Sequence, residues 1–451
     1  MTGYTVSDVA AVTGGVLHGD GAAAVTGVVI DSRRAGRGSL FAALPGERVD
    51  GHDYIGKAFD LGASCALALR VPAGETRPVI VVPDVASALE TLTADYRSRL
   101  DIPVIGVTGS VGKTTAKEMT AAVLSERWQV LKTEKNFNNQ LGVPLTLARI
   151  EPHHRAAVVE MGISHFGDME PLAKMARPTV MLFTNIGRAH LEYLGDREGV
   201  LREKTSVLQW MDDDALVICN GDDDLLRTLD CRQCKLSFGL GENCDVRAEN
   251  VRDYGLAGSE CTIVYGDRRF DVRIPAYGAH MVYAALEGAA IGIAFDFSDE
   301  EIRAGIANYV PVDGRAGIVQ TGMLTVVNDC YNANPDSTAA ALRSLMCTQG
   351  ARKVAILGDM GELGEDGPRL HRETGHIAAE TRVDLLLCCG SLAREIAAGA
   401  QEAGLEGVRH YDHMEDLLAA LPALMQPEDC VLVKASHYMA FENVVAALEK
   451  L

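Results

Sequence analysis

The apolar run Val104-Ile105-Gly106-Val107-Thr108 leads without a linker into Gly109-Ser110-Val111-Gly112-Lys113-Thr114-Thr115 and then into a stretch of helix formers. This arrangement leaves the chain few folds to choose from. A buried strand, a glycine turn and a helix start aim several backbone N–H groups and the positive end of a helix dipole at one point, where an anion binds. Lys113 adds a mobile charge for the outer phosphates of a nucleotide, and Thr114 offers a hydroxyl to Mg2+. The common phosphate-loop pattern has a glycine where this chain has Val107, so the spacing departs from the usual one.

The rest of the chain repeats the strand-then-helix rhythm, which predicts an α/β fold. Strands are expected at Ala156 to Glu160, Thr179 to Thr184 and Ala215 to Cys219, and after a turn-rich break at Leu324 to Asn328, Lys353 to Leu357, Leu385 to Cys388 and Cys430 to Val433. Such alternation implies mostly parallel sheets covered on both faces, with ligands at the carboxyl ends of the strands. At roughly 100 to 200 residues per domain, a chain of 451 residues divides into several units. Three are expected: a small α/β domain over 1–100, a central nucleotide-binding domain over 101–313, and a Rossmann-like α/β domain over 314–451. In the first, Val25 to Ser32 and Val79 to Val82 read as strands and Tyr54 to Leu61 as a helix.

Composition narrows the function. With 47% hydrophobic and 23% charged residues the chain reads as globular. A formal charge of −20 argues against a broad nucleic-acid face, so any phosphate must meet a local site. The apolar stretch Ala284 to Phe297 is interrupted by Glu287, Gly288 and Asp296 and is too short for a bilayer span of about 20 residues. No secretory signal is evident at Met1 to Gly15. The eleven cysteines lack a disulfide framework, and Cys231-Arg-Gln-Cys234 has no second ligand pair for zinc. A cytoplasmic protein is expected.

Gly106 to Thr115, as Gly-x-x-Gly-x-x-Gly-Lys-Thr-Thr, resembles the loop of the Mur ligases and their folylpolyglutamate synthetase relatives. Further motifs follow in family order: Asn136-Phe-Asn138-Asn139, Val159-Glu160-Met-Gly162, Thr184-Asn-Ile-Gly187 with Ala189-His190, and Lys204. The resemblance implies an ATP-dependent amide-forming ligase in which Thr114, Glu160 and His190 hold Mg2+, and Lys113, Lys204 and His190 serve the chemistry. Lys204 matches a lysine that the family carboxylates with CO2, although the Glu usual two residues later is Ser206 here. Asn136, Asn138 and Asn139 are expected at the substrate. Gly278-Ala-His280-Met-Val-Tyr283 lacks both asparagines of the family pattern, and Tyr283 is the candidate to stack on the base.

Beyond Gly314, Arg315 resembles an arginine that reaches the nucleotide, and Asp329-Cys-Tyr-Asn332-Ala-Asn334-Pro resembles the signature of the branch that adds D-alanyl-D-alanine. Asp329, Asn332 and Asn334 are therefore expected at the nucleotide on closure of the third domain. Asp31-Ser32-Arg33 and Gly46-Glu-Arg48-Val-Asp50-Gly51-His52 resemble a uridine-nucleotide pocket, so a UDP-N-acetylmuramoyl-tripeptide is the expected acceptor and D-alanyl-D-alanine the amine. Monomeric action is expected. Other readings stand beside this one: a different Mur-type or folylpolyglutamate-type ligase, which should lack the Tyr331 to Pro335 signature, or a P-loop switch or transport ATPase.

Overall fold

The computed structural model describes residues 1–46, 49–349 and 352–451. Three separate parallel-dominated sheets carry the chain. The first has five strands, β2 (Val16–His18), β4 (Gly27–Val29), β5 (Ser39–Ala42), β6 (Cys65–Ala68) and β7 (Val79–Val81), in the order β2-β7-β6-β5-β4. A two-stranded ribbon, β1 (Tyr4–Thr5) with β3 (Ala24–Val25), lies beside it. The single strand expected over Val25 to Ser32 is split. Thr26 donates its N–H to Gly38 at 2.7 Å, between β3 and β4, and Ser32 begins a short helical turn capped by Asp31.

The central sheet contains β8 (Val104–Thr108), β9 (Val130–Lys132), β10 (Ala156–Glu160), β11 (Val180–Phe183), β12 (Leu216–Asn220), β13 (Cys234–Gly239), β14 (Val246–Asp253), β15 (Ser259–Tyr265) and β16 (Arg268–Ile274). Their order is β16-β15-β14-β13-β12-β11-β8-β10-β9. Strands β9 to β14 pair in parallel, whereas β14, β15 and β16 form an antiparallel meander that strand-helix alternation does not predict. The phosphate-loop strand β8 sits inside the sheet between β10 and β11, and all five of its residues are buried. The chain order reverses direction about this strand, which opens a crevice at its carboxyl end.

The third sheet is β17 (Gly317–Gln320), β18 (Thr325–Asn328), β19 (Arg352–Gly358), β20 (Leu385–Cys389), β21 (Val408–Tyr411) and β22 (Asp429–Lys434), ordered β17-β18-β22-β19-β20-β21. Only β17 runs antiparallel. The helices Lys113–Ser125 and Met281–Ala294 cover one face of the central sheet through Met119, Val123, Ala285 and Ala289. The opposite face shares one apolar cluster with the first sheet, in which Leu40, Leu67 and Ile80 join Val159, Met181 and Phe183. Burying these side chains removes the apolar surface that drives folding, at about 25 cal/mol per Å2. Among the described residues no helix is long and apolar enough to cross a membrane.

Candidate functional site

Gly109 has a φ of +156°, and a Cβ there would lie 1.9 Å from the Thr184 hydroxyl; Gly112 has a φ of +83° and caps the helix Lys113–Ser125. Neither position accepts a side chain without strain or collision. The loop is braced from β11: Ser110 Oγ donates to the Gly187 carbonyl at 3.2 Å, and the Val111 N–H donates to Asn185 Oδ1 at 3.0 Å. Its free N–H groups and the helix start are thereby fixed before any ligand arrives.

Lys113 Nζ donates to the Gly109 carbonyl at 2.8 Å and so curls over the loop. The ammonium opens into a deep cavity, and burial lowers its pKa, with Glu160 opposing. Thr114 Oγ1 donates to Glu160 Oε2 at 3.1 Å, and Asn138 Nδ2 donates to Glu160 Oε1 at 2.9 Å. Glu160 ends β10 and is only 3% exposed. Its charge is balanced by Lys117, whose buried Nζ stands 3.8 Å from Oε2 and donates to the Thr133 carbonyl at 2.8 Å. Sequence reasoning missed Lys117. Its position one turn after Lys113, on the face turned toward β10, was the available signal.

His190 has a left-handed backbone, and its Nδ1 lies 2.5 Å from Glu362 Oε2 of the third-sheet unit. Burial lowers its pKa despite that carboxylate. Lys204 is completely buried in the helix Arg197–Thr205, and its Nζ has no hydrogen-bond partner among the described residues. Burial, with Lys113 adding to it, holds its pKa well below the ordinary lysine range. Among the described residues no group of three or more His, Cys, Asp or Glu side chains is arranged to hold a metal ion. The hydroxyl and carboxylate oxygens of Thr114 and Glu160 nevertheless suit a hard cation that takes its other ligands from phosphate and water.

A cavity of about 790 Å3 runs from the phosphate loop to the third-sheet unit. Ser110 to Thr115 line one side, and Arg315, Asp329, Asn332 and Asn334 line the other with Lys434. Lys434 Nζ pairs with Asp329 at 2.5 Å and donates to the Asn332 carbonyl at 3.1 Å, which holds that wall together. The Arg315 guanidinium lies 4.0 Å over the Tyr331 ring, itself stacked on His437. Asn334 also caps the helix Pro335–Met346 by accepting from the Ser337 N–H at 2.8 Å, so its turn chemistry and its place in the cavity coexist. Tyr283 lines the cavity and donates to Asp222 Oδ2 at 2.9 Å.

The two walls are clamped by a residue that sequence reasoning did not single out. Arg188 sends Nε and Nη2 to Asp336 Oδ1 at 3.0 and 2.9 Å, its N–H to Oδ2 at 2.7 Å, and Nη1 to Glu373 at 3.0 Å. Partners 148 residues apart leave no local sequence signal.

The uridine-pocket candidates gather elsewhere, at the adjacent carboxyl ends of β4 and β5. Ser32 is buried and Arg33 is an exposed fork on Asp31, which its hydrogen bonds lower to a pKa of about 2. Gly46 and Gly51 bond within the loop, to the Val49 and Leu44 carbonyls. His52 Nδ1 contacts Asp50 at 2.6 Å and Nε2 accepts from the Leu69 N–H at 2.9 Å, so both ring nitrogens already serve the loop. The backbone N–H of His52, ahead of its ring, lowers the pKa of Asp50 to about 2. Arg48 lies outside the described residues. Asn136 is exposed and Asn139 Oδ1 accepts from the Leu141 and Gly142 N–H groups, so only Asn138 of that trio touches the phosphate-loop cluster.

Residues 24–97 match the Mur ligase family catalytic domain, 107–293 the Mur ligase middle domain and 314–437 the Mur ligase glutamate ligase domain. The UDP-N-acetylmuramoyl-tripeptide–D-alanyl-D-alanine ligase of Bacillus subtilis (strain 168) is 35% identical over 94% of this chain and 93% of its own. A crystal structure of MurF from Acinetobacter baumannii superposes with a TM-score of 0.91 at 30% identity, covering 99% of each chain. That of the Thermotoga maritima MurF ligase in complex with ADP has a TM-score of 0.83 at 27% identity, covering 94% of this chain and 97% of its own.

Proposed function

The chain belongs to the Mur ligase family, and from that premise we propose that it joins D-alanyl-D-alanine to the terminal carboxylate of a UDP-N-acetylmuramoyl-tripeptide, with ATP converted to ADP and phosphate. One observation carries the reading: a phosphate loop and the Asp329 to Asn334 segment share a single cavity. A free carboxylate does not form an amide in water without activation, so the tripeptide carboxylate first takes the γ-phosphoryl group as an acyl phosphate. The dipeptide amine then displaces phosphate.

Phosphoryl transfer asks a protein mainly for position and charge. Lys113 and the loop N–H groups bind the phosphates, and Arg315, Asn332 and Asn334 hold the nucleotide from the facing unit. Tyr283 and Asp329 border the same nucleotide. Closure of the third domain excludes the water that would hydrolyse the acyl phosphate. Thr114, Glu160 and His190 would hold Mg2+, which supplies charge neutralisation for the transferring group. Lys204 fits a carboxylated lysine: its buried amine, without a hydrogen-bond partner among the described residues, is driven toward the neutral form that adds CO2 with loss of a proton. Ser32, Arg33 and the loop from Gly46 to His52 receive the uridine diphosphate, and Asn138 the peptide end.

The proposed division is 1–100, 101–313 and 314–451, acting as a cytoplasmic monomer in peptidoglycan precursor synthesis. Phosphate release should require both the UDP-linked tripeptide and D-alanyl-D-alanine. Steady ATP turnover with either one missing would refute the ligase reading and favour an ATPase.

A further inference from the structure

The helix Met281–Ala294 turns a stripe of residues into the nucleotide cavity: its capping residue His280, then Tyr283 and Ala284, then Glu287. These positions follow the spacing of one helix face and span about 10 Å at 1.5 Å per residue, the length scale of a nucleoside. Glu287 is the anomaly of the stripe. It lies inside a helix whose neighbours Leu286, Ala289 and Ala290 are fully buried, and it is itself 4% exposed. Yet it borders the cavity, and among the described residues no hydrogen bond or ion pair meets its carboxyl. The Tyr283 hydroxyl next to it is already committed to Asp222.

A carboxyl buried without a partner costs stability unless something else answers it. The phosphate end of the cavity is claimed by Lys113 and the helix start, and Glu287, on which no charged group acts, is available to the base. We infer that Glu287 reads the purine of the bound nucleotide, accepting a hydrogen bond from the 6-amino group and donating its own proton to the adjacent ring nitrogen. This rests on the reading of the cavity as an ATP site. Burial alone pushes the Glu287 carboxyl well above the usual carboxylate range, which favours the protonated form. A neutral carboxyl then presents one donor beside one acceptor. Adenine offers the complement, an amino donor beside a ring-nitrogen acceptor, and an amide side chain would match the same edge.

The test compares ATP with purine ribonucleoside triphosphate, which lacks only the 6-amino group. Dissociation constants come from competition against a fluorescent nucleotide, alongside kcat/KM for ligation, on the full chain. Wild type should favour ATP by about tenfold, the effect of leaving one buried group unanswered. Glu287→Gln should keep that preference. Glu287→Leu should bring the ratio close to one by weakening ATP more than the analogue, which loses only the bond to its ring nitrogen. Glu287→Asp, which withdraws the carboxyl by one methylene, should lose most of the preference and serves if the Leu variant folds poorly. A wild-type ratio retained in the Leu or Asp variant overturns the assignment of Glu287 while leaving the ATP site intact. Failure of the wild-type chain to bind either nucleotide overturns the reading of the cavity itself.

Discussion

Lys204→Met should make the protein more stable and less active at once. Methionine keeps most of the length of the side chain and removes an amine that is fully buried and has no partner among the described residues. Leaving such a group unsatisfied costs about 1–3 kcal/mol. The variant should recover that amount relative to unmodified wild type, a rise of several degrees in Tm at about 2–4 °C per kcal/mol. The sign of the pH dependence follows from the lowered pKa. The unfolded chain binds a proton that the native amine refuses, so unmodified wild type gains stability as pH rises toward the ordinary lysine value, and the variant lacks that slope. Carboxylation reverses the comparison. Because CO2 modifies the native amine, bicarbonate should stabilise wild type by mass action and leave the variant unmoved. Ligation should fall by about 10- to 100-fold in the variant, the scale for losing a group that supports a metal site. Thermal melts in CO2-depleted and bicarbonate-equilibrated buffers, with 13C-bicarbonate NMR on the wild type, measure each element. A variant less stable than wild type without CO2, or one as active as wild type, would refute the reasoning.

Lys113→Ala should abolish ligation while leaving the melting temperature within a few degrees of wild type, since the ammonium's fold contact is a single bond to the Gly109 carbonyl; retained activity in the phosphate-release assay would remove the loop from the mechanism. Arg188→Ala breaks the clamp on Asp336 and Glu373, a partly exposed contact for which about 1 kcal/mol is expected. It should raise KM for ATP about fivefold and enlarge the radius of gyration in X-ray scattering, and an unchanged KM would count against it. Glu287 has a raised pKa, so the stability tied to its neutral form is full below the ordinary glutamate value and is lost as pH rises through the folded pKa. Urea melts at pH 5 and pH 8 should show a smaller decline for Glu287→Gln than for wild type.

What the sequence revealed was local. The strand Val104–Thr108 and its loop are consecutive, so pattern and turn chemistry alone locate an anion site, and β10, β11 and β12 are found as short apolar runs bounded by polar ones. The meander went unread because its signal is of another kind: Arg268–Ile274 alternates exposed charges with buried residues, the period of a strand covered on one face, and forms no continuous apolar run. The pairing of Arg188 with Asp336 joins distant segments, and the Nε2 bond of His52 to the Leu69 N–H forms only once β6 is in place behind it. Glu287 is the sharpest case. In the sequence it is merely a charge interrupting an apolar stretch, and only the packed helix reveals that the interruption faces a cavity.

That cavity has walls from two sheets that share no strand. A nucleotide seated in it touches both, so its binding free energy belongs to neither alone and vanishes when either one unfolds. In calorimetric terms the ligand fuses two melting units: without nucleotide the central and third domains are free to unfold at different temperatures, and with it their transitions converge and rise together by RT ln(1 + [L]/Kd). The clamp of Arg188 on Asp336 does the same on a smaller scale.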